Sequence, residues 1–215
     1  MFLLLRNLSE MIKYENYSTN QKGPGMNTAL LLLEIQNDYF PNGRIPLEKS
    51  LEASAKAQSI LHAYREKKMQ IVHVQHISTH PDATYFLPCT KGAEFHSSVQ
   101  PSKGEMIVKK HYPNSFKDTS LLNYLIKNQI NHLVICGMMT HMTVDATVRA
   151  AYDLGFTCTV LHDACAARQL EFNHNVITAQ NVHYAFLAAF QPSYATVLSS
   201  DDFLQKAGAR IPIAS

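Results

Sequence analysis

Three polar residues close behind apolar, strand-length segments could do chemistry together: Glu34, Lys110 and Thr143. A carboxylate can take up a proton, a lysine can hold that carboxylate, and a hydroxyl can attack a carbonyl carbon when a base contacts it. Open parallel sheets bind ligands at the carboxyl ends of their strands. The three residues together therefore predict a site at one sheet edge, although each alone is more often a solvated side chain.

The elements that must position these residues follow from the apolar pattern. Strand-length apolar runs alternate with helix-like segments, which predicts an α/β fold: a three-layer, doubly wound, mostly parallel sheet with helices on both faces. The predicted strands are 29–35, 69–74, 106–109, 133–136, 156–161 and 195–198, the predicted helices are 49–68, 120–128, 140–154 and 173–190, and 77–105 is a long loop.

The chain divides at a Gly-Pro-Gly run, residues 23–25. We expect residues 26–215 to form one domain and residues 1–25 to be an N-terminal extension, with Met26 as the natural start. No run of about 18 apolar residues is present, so we expect no membrane span, and the short apolar start lacks the features of a secretory signal. Cytoplasm is the expected location.

Composition and motifs exclude several classes. Hydrophobic residues make up 46% of the 215-residue chain, charged residues 17%, and the net charge is +2. These values indicate a globular protein without the basic stripe of a nucleic-acid binder. The first strand is followed by no Gly-rich dinucleotide turn, and no Gly-x-Ser-x-Gly elbow occurs. The four cysteines form no Cys-x-x-Cys pair, and we predict neither a metal nor a cofactor.

Several stretches resemble the signature segments of the isochorismatase-like cysteine-hydrolase family. They are residues 31–40 (Leu-Leu-Leu-Glu-Ile-Gln-Asn-Asp-Tyr-Phe), 110–116 (Lys-His-Tyr-Pro-Asn-Ser-Phe), 137–147 (Gly-Met-Met-Thr-His-Met-Thr-Val-Asp-Ala-Thr) and 154–166. The resemblance covers about residues 27–205. It implies a parallel sheet flanked by helices, a homo-oligomer, and activity on small molecules, since the family includes nicotinamidases, carbamoylases and other small-amide hydrolases.

The resemblance also implies positions for a catalytic site. The family's aspartate, lysine and cysteine fall on Glu34, Lys110 and Thr143, so only the lysine matches. The family's cis peptide falls on Met138–Met139, and its oxyanion hole on the backbone amides of Met139 and Thr143. Beside this site we predict a substrate pocket lined by Gln36, Tyr39, Phe40, His76, Asn114 and Phe116.

Threonine in place of cysteine at position 143 changes the nucleophile of the reaction. A hydroxyl is far less acidic than a thiol and must be activated by a base in contact with it, and only Glu34 could serve Thr143 in that way. Two hypotheses stay open: a hydrolase of a small amide, urea or vinyl ether with an altered triad, or a catalytically inactive relative that binds a small ligand or a protein partner. Isochorismatases proper also lack the cysteine, and a Glu34 with a raised pKa could take their acid role.

Overall fold

The centre of the protein is a six-stranded parallel sheet. The computed structural model describes residues 26–210. The strands lie in the order β3-β2-β1-β4-β5-β8, and every neighbouring pair is parallel. Their bounds are Thr28–Leu33 (β1), Gln70–His76 (β2), Met106–Lys110 (β3), His132–Met138 (β4), Thr157–Ala166 (β5) and Thr196–Leu198 (β8), while Leu170–Phe172 (β6) and Asn175–Ile177 (β7) form a separate antiparallel hairpin.

Five helices accompany the sheet in the described part of the chain. They are Ser50–Glu66 (α1), Leu121–Lys127 (α2), Asp145–Asp153 (α3), Ala179–Phe190 (α4) and Ser200–Arg210 (α5). Apolar side chains of α1 and α5 pack in one core cluster, and those of α2, α3 and α4 pack in another. The two clusters lie on opposite faces of the sheet, which confirms the three-layer, doubly wound architecture.

β1 shows why the sheet is buried on both faces. Leu30 and Leu32 belong to the first core cluster, whereas Leu31 and Leu33 belong to the second. Successive strand side chains point to opposite faces, so a continuous apolar run supplies both layers at once.

The strand order indicates which edge of the sheet is expected to hold a ligand site. The chain passes from β1 outward through β2 to β3 and then returns to the other side of β1 as β4. The order therefore reverses between β1 and β4, and the crevice at the carboxyl ends of these two strands is the usual ligand site of such sheets.

The segment 173–190 was wrongly expected to be one helix. Its first residues belong to the β6–β7 hairpin, and the helix begins only at Ala179. Asn173 and His174 have φ angles of 48° and 61°, the left-handed pair of a two-residue hairpin turn. The side chain of Thr178 then accepts a hydrogen bond from the Asn181 amide and caps the helix.

Two further differences concern segments near the ends of predicted elements. The helix expected over 140–154 begins with a π-helical stretch, Thr140–Val144, and α5 was not expected. No helix within residues 26–210 is long and apolar enough to cross a membrane. The proposed extension, residues 1–25, lies outside the described residues.

Candidate functional site

Glu34, Lys110 and Thr143 meet in one buried cluster at the carboxyl edge of the sheet. The Thr143 hydroxyl donates to Glu34 Oε1 over 2.7 Å. The Lys110 ammonium donates to the same Oε1 and lies 3.1 Å from Thr143 Oγ1. All three residues are at most 3% exposed. A carboxylate, an ammonium and a hydroxyl are therefore joined by direct hydrogen bonds.

Glu34 reaches the cluster through an uncommon backbone conformation. Its φ is 51°, in the left-handed region, which costs a non-glycine residue roughly 1–2 kcal/mol. Its amide still donates to the Val74 carbonyl of β2, and its own carbonyl accepts from the Gln36 amide. Such strain persists where surrounding structure enforces it, and it often marks functional sites.

The charges around Glu34 set its protonation state. Burial raises the pKa of the carboxyl, but the charge of Lys110 and a hydrogen bond from His76 outweigh burial and lower the pKa to about 2. The hypothesis that Glu34 has a raised pKa and acts as an acid is therefore contradicted. At neutral pH the residue is a carboxylate, ready to accept a proton rather than to give one.

Lys110 is held from its far side by backbone carbonyls. Its ammonium donates to Tyr112 O over 2.7 Å and to Pro113 O over 3.1 Å. These carbonyls belong to the turn that directly follows β3. The lysine is thus fixed against Glu34 by groups that its own sequence neighbours provide.

The Met138–Met139 peptide is cis, at the position that the resemblance indicates. Gly137 directly precedes it, with φ 137°, and a Cβ at this position would collide with the Leu33 carbonyl. Only glycine therefore lets β4 run so close to the end of β1. Thr143 follows in the π-helical stretch, where it faces Glu34.

A small cavity of about 30 Å³ opens beside the cluster. Glu34 and Thr143 line it together with two of the predicted pocket residues, Tyr39 and His76. Tyr39 donates to Glu34 Oε2 over 3.2 Å, and His76 Nδ1 lies 3.2 Å from Glu34 Oε1. The remaining lining residues are Tyr85, Phe86, Pro113 and Met142.

The other four predicted pocket residues lie outside this lining, because their side chains are used elsewhere. The Gln36 amide bonds the backbone of His76 and Ala93. Phe40 stacks on His96 with ring centroids 3.6 Å apart. The Asn114 side chain accepts a hydrogen bond from the Phe116 amide in the turn after β3. The Phe116 ring stacks on Phe156 in the core.

Tyr85, Phe86 and Met142 were missed for different reasons. The first two come from the long loop, whose sequence has no periodicity, and the Phe86 amide is brought in by a hydrogen bond to Asp38. Nothing local in the sequence encodes such a contact across 48 residues. Met142 was within reach of prediction, because it directly precedes Thr143 in the sequence.

The cysteines lie apart from the cluster. Burial raises the pKa of the Cys136 thiol well above its ordinary value, and raises those of Cys158 and Cys165 to about 12, so these thiols stay protonated. Cys89 is exposed and does not line the cavity. Within residues 26–210, no three His, Cys, Asp or Glu side chains are grouped to hold a metal ion.

Comparison with known proteins agrees with the fold and the motifs. The family model for the isochorismatase domain matches residues 28–202. The uncharacterized isochorismatase family protein YddQ of Bacillus subtilis is 44% identical over 84% of this chain and all of its own length. A streptothricin hydrolase of Streptomyces noursei is 31% identical over 64% of this chain and 49% of its own. The crystal structure of a putative isochorismatase hydrolase from Oleispira antarctica superposes with a TM-score of 0.81 at 43% identity, covering 85% of this chain and 98% of that one.

Proposed function

The chain belongs to the isochorismatase family, and we propose that it is a hydrolase of a small amide or urea that uses Thr143 as its nucleophile. One observation carries the proposal: the Thr143 hydroxyl already donates to the ionised Glu34 over 2.7 Å, beside Lys110. A base in contact with the hydroxyl is what an internal threonine nucleophile requires.

The first half of the reaction follows from this contact. As Thr143 Oγ1 forms a bond to the carbonyl carbon, its proton passes to Glu34 Oε1. The amides of Met139 and Thr143 receive the negative charge that develops on the carbonyl oxygen. The C–N bond then breaks, the proton passes from Glu34 to the leaving nitrogen, and an ester remains on Thr143.

A vinyl ether fits the site less well than an amide or urea does. Its cleavage needs a proton donor, and a carboxyl with a pKa of about 2 is almost wholly ionised at neutral pH. The low pKa also makes Glu34 a weak base, so we expect slow turnover. The small cavity admits only the reacting group, and the rest of the substrate would lie over Tyr85 and Met142.

The second candidate function is ligand binding without turnover. The weak base and the cavity of about 30 Å³ both favour it, since neither suits rapid chemistry on a sizeable substrate. Under this alternative, the Glu34–Lys110 pair would be retained as part of a binding pocket.

One assay series separates the two functions. Small amides, ureas and vinyl ethers are offered to the wild type, Glu34→Gln, Lys110→Ala, and the double change Glu34→Asp with Thr143→Cys. Wild-type turnover that disappears in Glu34→Gln supports the hydrolase. Turnover by the double variant alone supports the binding protein.

The control for this series is Lys109→Ala, which removes an exposed lysine next to Lys110 in the same strand. We expect it to behave as the wild type, with far-ultraviolet circular dichroism confirming that each variant is folded. Full activity in Lys110→Ala would contradict both functions, because it would move the site elsewhere.

We also propose a cytoplasmic homo-oligomer. Four free cysteines suit a reducing compartment. Phe172 is 78% exposed and Ile177 39%, and the register of the β6–β7 hairpin places both on the same face, an apolar surface of the kind that a partner subunit covers.

A further inference from the structure

His76 is one of four side chains that contact the Glu34 carboxylate. It ends β2 and lies opposite Lys110 of β3 in the strand register. Its Nδ1 is 3.2 Å from Glu34 Oε1, the same oxygen that accepts from Lys110 and Thr143. The ring lines the cavity, and its side chain is 18% exposed.

The backbone of His76 is fixed by a buried amide. Gln36 is fully buried; its Oε1 accepts from the His76 amide over 2.7 Å, and its Nε2 donates to the His76 carbonyl over 2.9 Å. The same Nε2 donates to Ala93 O over 2.7 Å. The Gln36 side chain therefore holds the backbone of His76 in place. Because its amide is used in these hydrogen bonds, Gln36 does not line the cavity.

The contact with Glu34 selects the tautomer of the imidazole. An ionised carboxylate only accepts hydrogen bonds, so Nδ1 carries the proton and donates it. In the neutral imidazole, Nε2 then holds a lone pair, and this nitrogen has no hydrogen-bond partner among residues 26–210. The cavity that the ring lines, about 30 Å³, exceeds the roughly 10–15 Å³ that one water molecule needs.

We infer that His76 is a catalytic base that activates the water which hydrolyses the ester on Thr143. This inference rests on the proposed function and extends it to the second half of the reaction. His76 Nε2 takes a proton from water as the water oxygen bonds to the ester carbon. When the ester C–O bond breaks, the same proton passes from Nε2 to Thr143 Oγ1, which restores both side chains.

The other groups around the cavity are less suited to this step. Glu34 is engaged by Lys110 and Thr143, and its pKa of about 2 makes it a weak base. Burial raises the pKa of the Tyr39 and Tyr85 phenols, so both stay protonated. The arrangement of carboxylate, imidazole and water follows the orienting logic of a hydrolase triad, in which the carboxylate holds the imidazole and stabilises its charged form.

The test is trapping of the ester. The wild type and His76→Gln are mixed with p-nitrophenyl acetate, while released nitrophenolate and intact protein mass are followed. In His76→Gln we expect a burst of about one nitrophenolate per site, one acetyl group on the protein, and steady turnover lowered at least about a hundredfold. His62→Gln, on the exposed side of α1, should match the wild type, and adding Thr143→Val to His76→Gln should abolish the acetylation.

Three other outcomes would contradict the inference, and they show whether the proposed function fails with it. Steady turnover by His76→Gln at the wild-type rate removes His76 from the mechanism and leaves the proposed function intact. Lost turnover without acetylation places His76 before the ester and contradicts its role in hydrolysing it. A wild type that neither turns over nor becomes acetylated contradicts the proposed function and the inference together.

Discussion

Glu34 and Lys110 form a buried ion pair, and each depends on the other. Both are at most 3% exposed. A charge removed from water at this depth is tolerated only when its partner and hydrogen bonds are in place. The pair is therefore a condition for stable folding as well as part of the proposed site.

The first residue-scale prediction follows from this dependence. Glu34→Gln leaves the Lys110 ammonium without its carboxylate, and we expect a loss of about 3–5 kcal/mol in the free energy of unfolding, measured in urea. Glu34→Gln combined with Lys110→Met replaces the pair by uncharged groups and should recover most of that loss. A single variant as stable as the wild type would contradict a buried pair.

The sequence predicted the cluster of Glu34, Lys110 and Thr143 but not its surroundings. Strand ends gave Glu34 and Lys110, since a parallel sheet brings its carboxyl ends to one edge. Tyr85 and Phe86 could not be found, because their position depends on how the long loop folds back over β1. The contact of His76 with Glu34 Oε1 depends on a side-chain position that no sequence pattern encodes.

At the scale of elements, the apolar runs predicted all six strands of the main sheet and failed where turns decided the structure. Residues 173–177 contain apolar positions that suit a helix, yet the Asn173-His174 turn forms a hairpin. The first turn after β4 also departs from an α-helix, as Thr140–Val144 shows. Local turn geometry competes with periodicity, and periodicity alone cannot reveal the outcome.

Gly137 provides the prediction at this scale. An alanine here combines a positive φ with a collision against the Leu33 carbonyl. The strain alone costs roughly 1–3 kcal/mol, so we expect Gly137→Ala to lower the free energy of unfolding by more than that. Gly155→Ala is the matched control: φ is 85°, but its Cβ would meet nothing within 4 Å. Equal losses in the two variants would show that the close strand approach is unimportant.

At the scale of the whole molecule, burial of titratable groups makes the stability of the protein depend on pH. His132 bridges β4 and β5 through Thr157 and Thr159, at 2.8 and 3.1 Å. Burial lowers its pKa from 6.5 to about 4. Between pH 6.5 and about 4, His132 is therefore protonated in the unfolded chain but stays neutral in the folded protein.

The corresponding prediction is a loss of stability on mild acidification. His132 should lower the free energy of unfolding by up to about 3 kcal/mol as the pH falls from 6.5 to 4. Glu34 adds a second loss between its ordinary pKa of 4.5 and about 2, because protonation removes its favourable pairing. Urea unfolding across this range should show a smaller slope above pH 4 in His132→Gln, and an unchanged slope in His62→Gln. Identical slopes in all three proteins would refute the assignment.

The most direct test of the central claim is the hydrolysis rate of Thr143→Val, which removes the hydroxyl and keeps the side-chain shape. On an amide or ester that the wild type hydrolyses, we expect a loss of at least about a thousandfold. Thr140→Val, which removes a buried hydroxyl bonded to His183, should keep most of the activity. Equal rates in Thr143→Val and the wild type would contradict the account, because Thr143 could not then be the nucleophile.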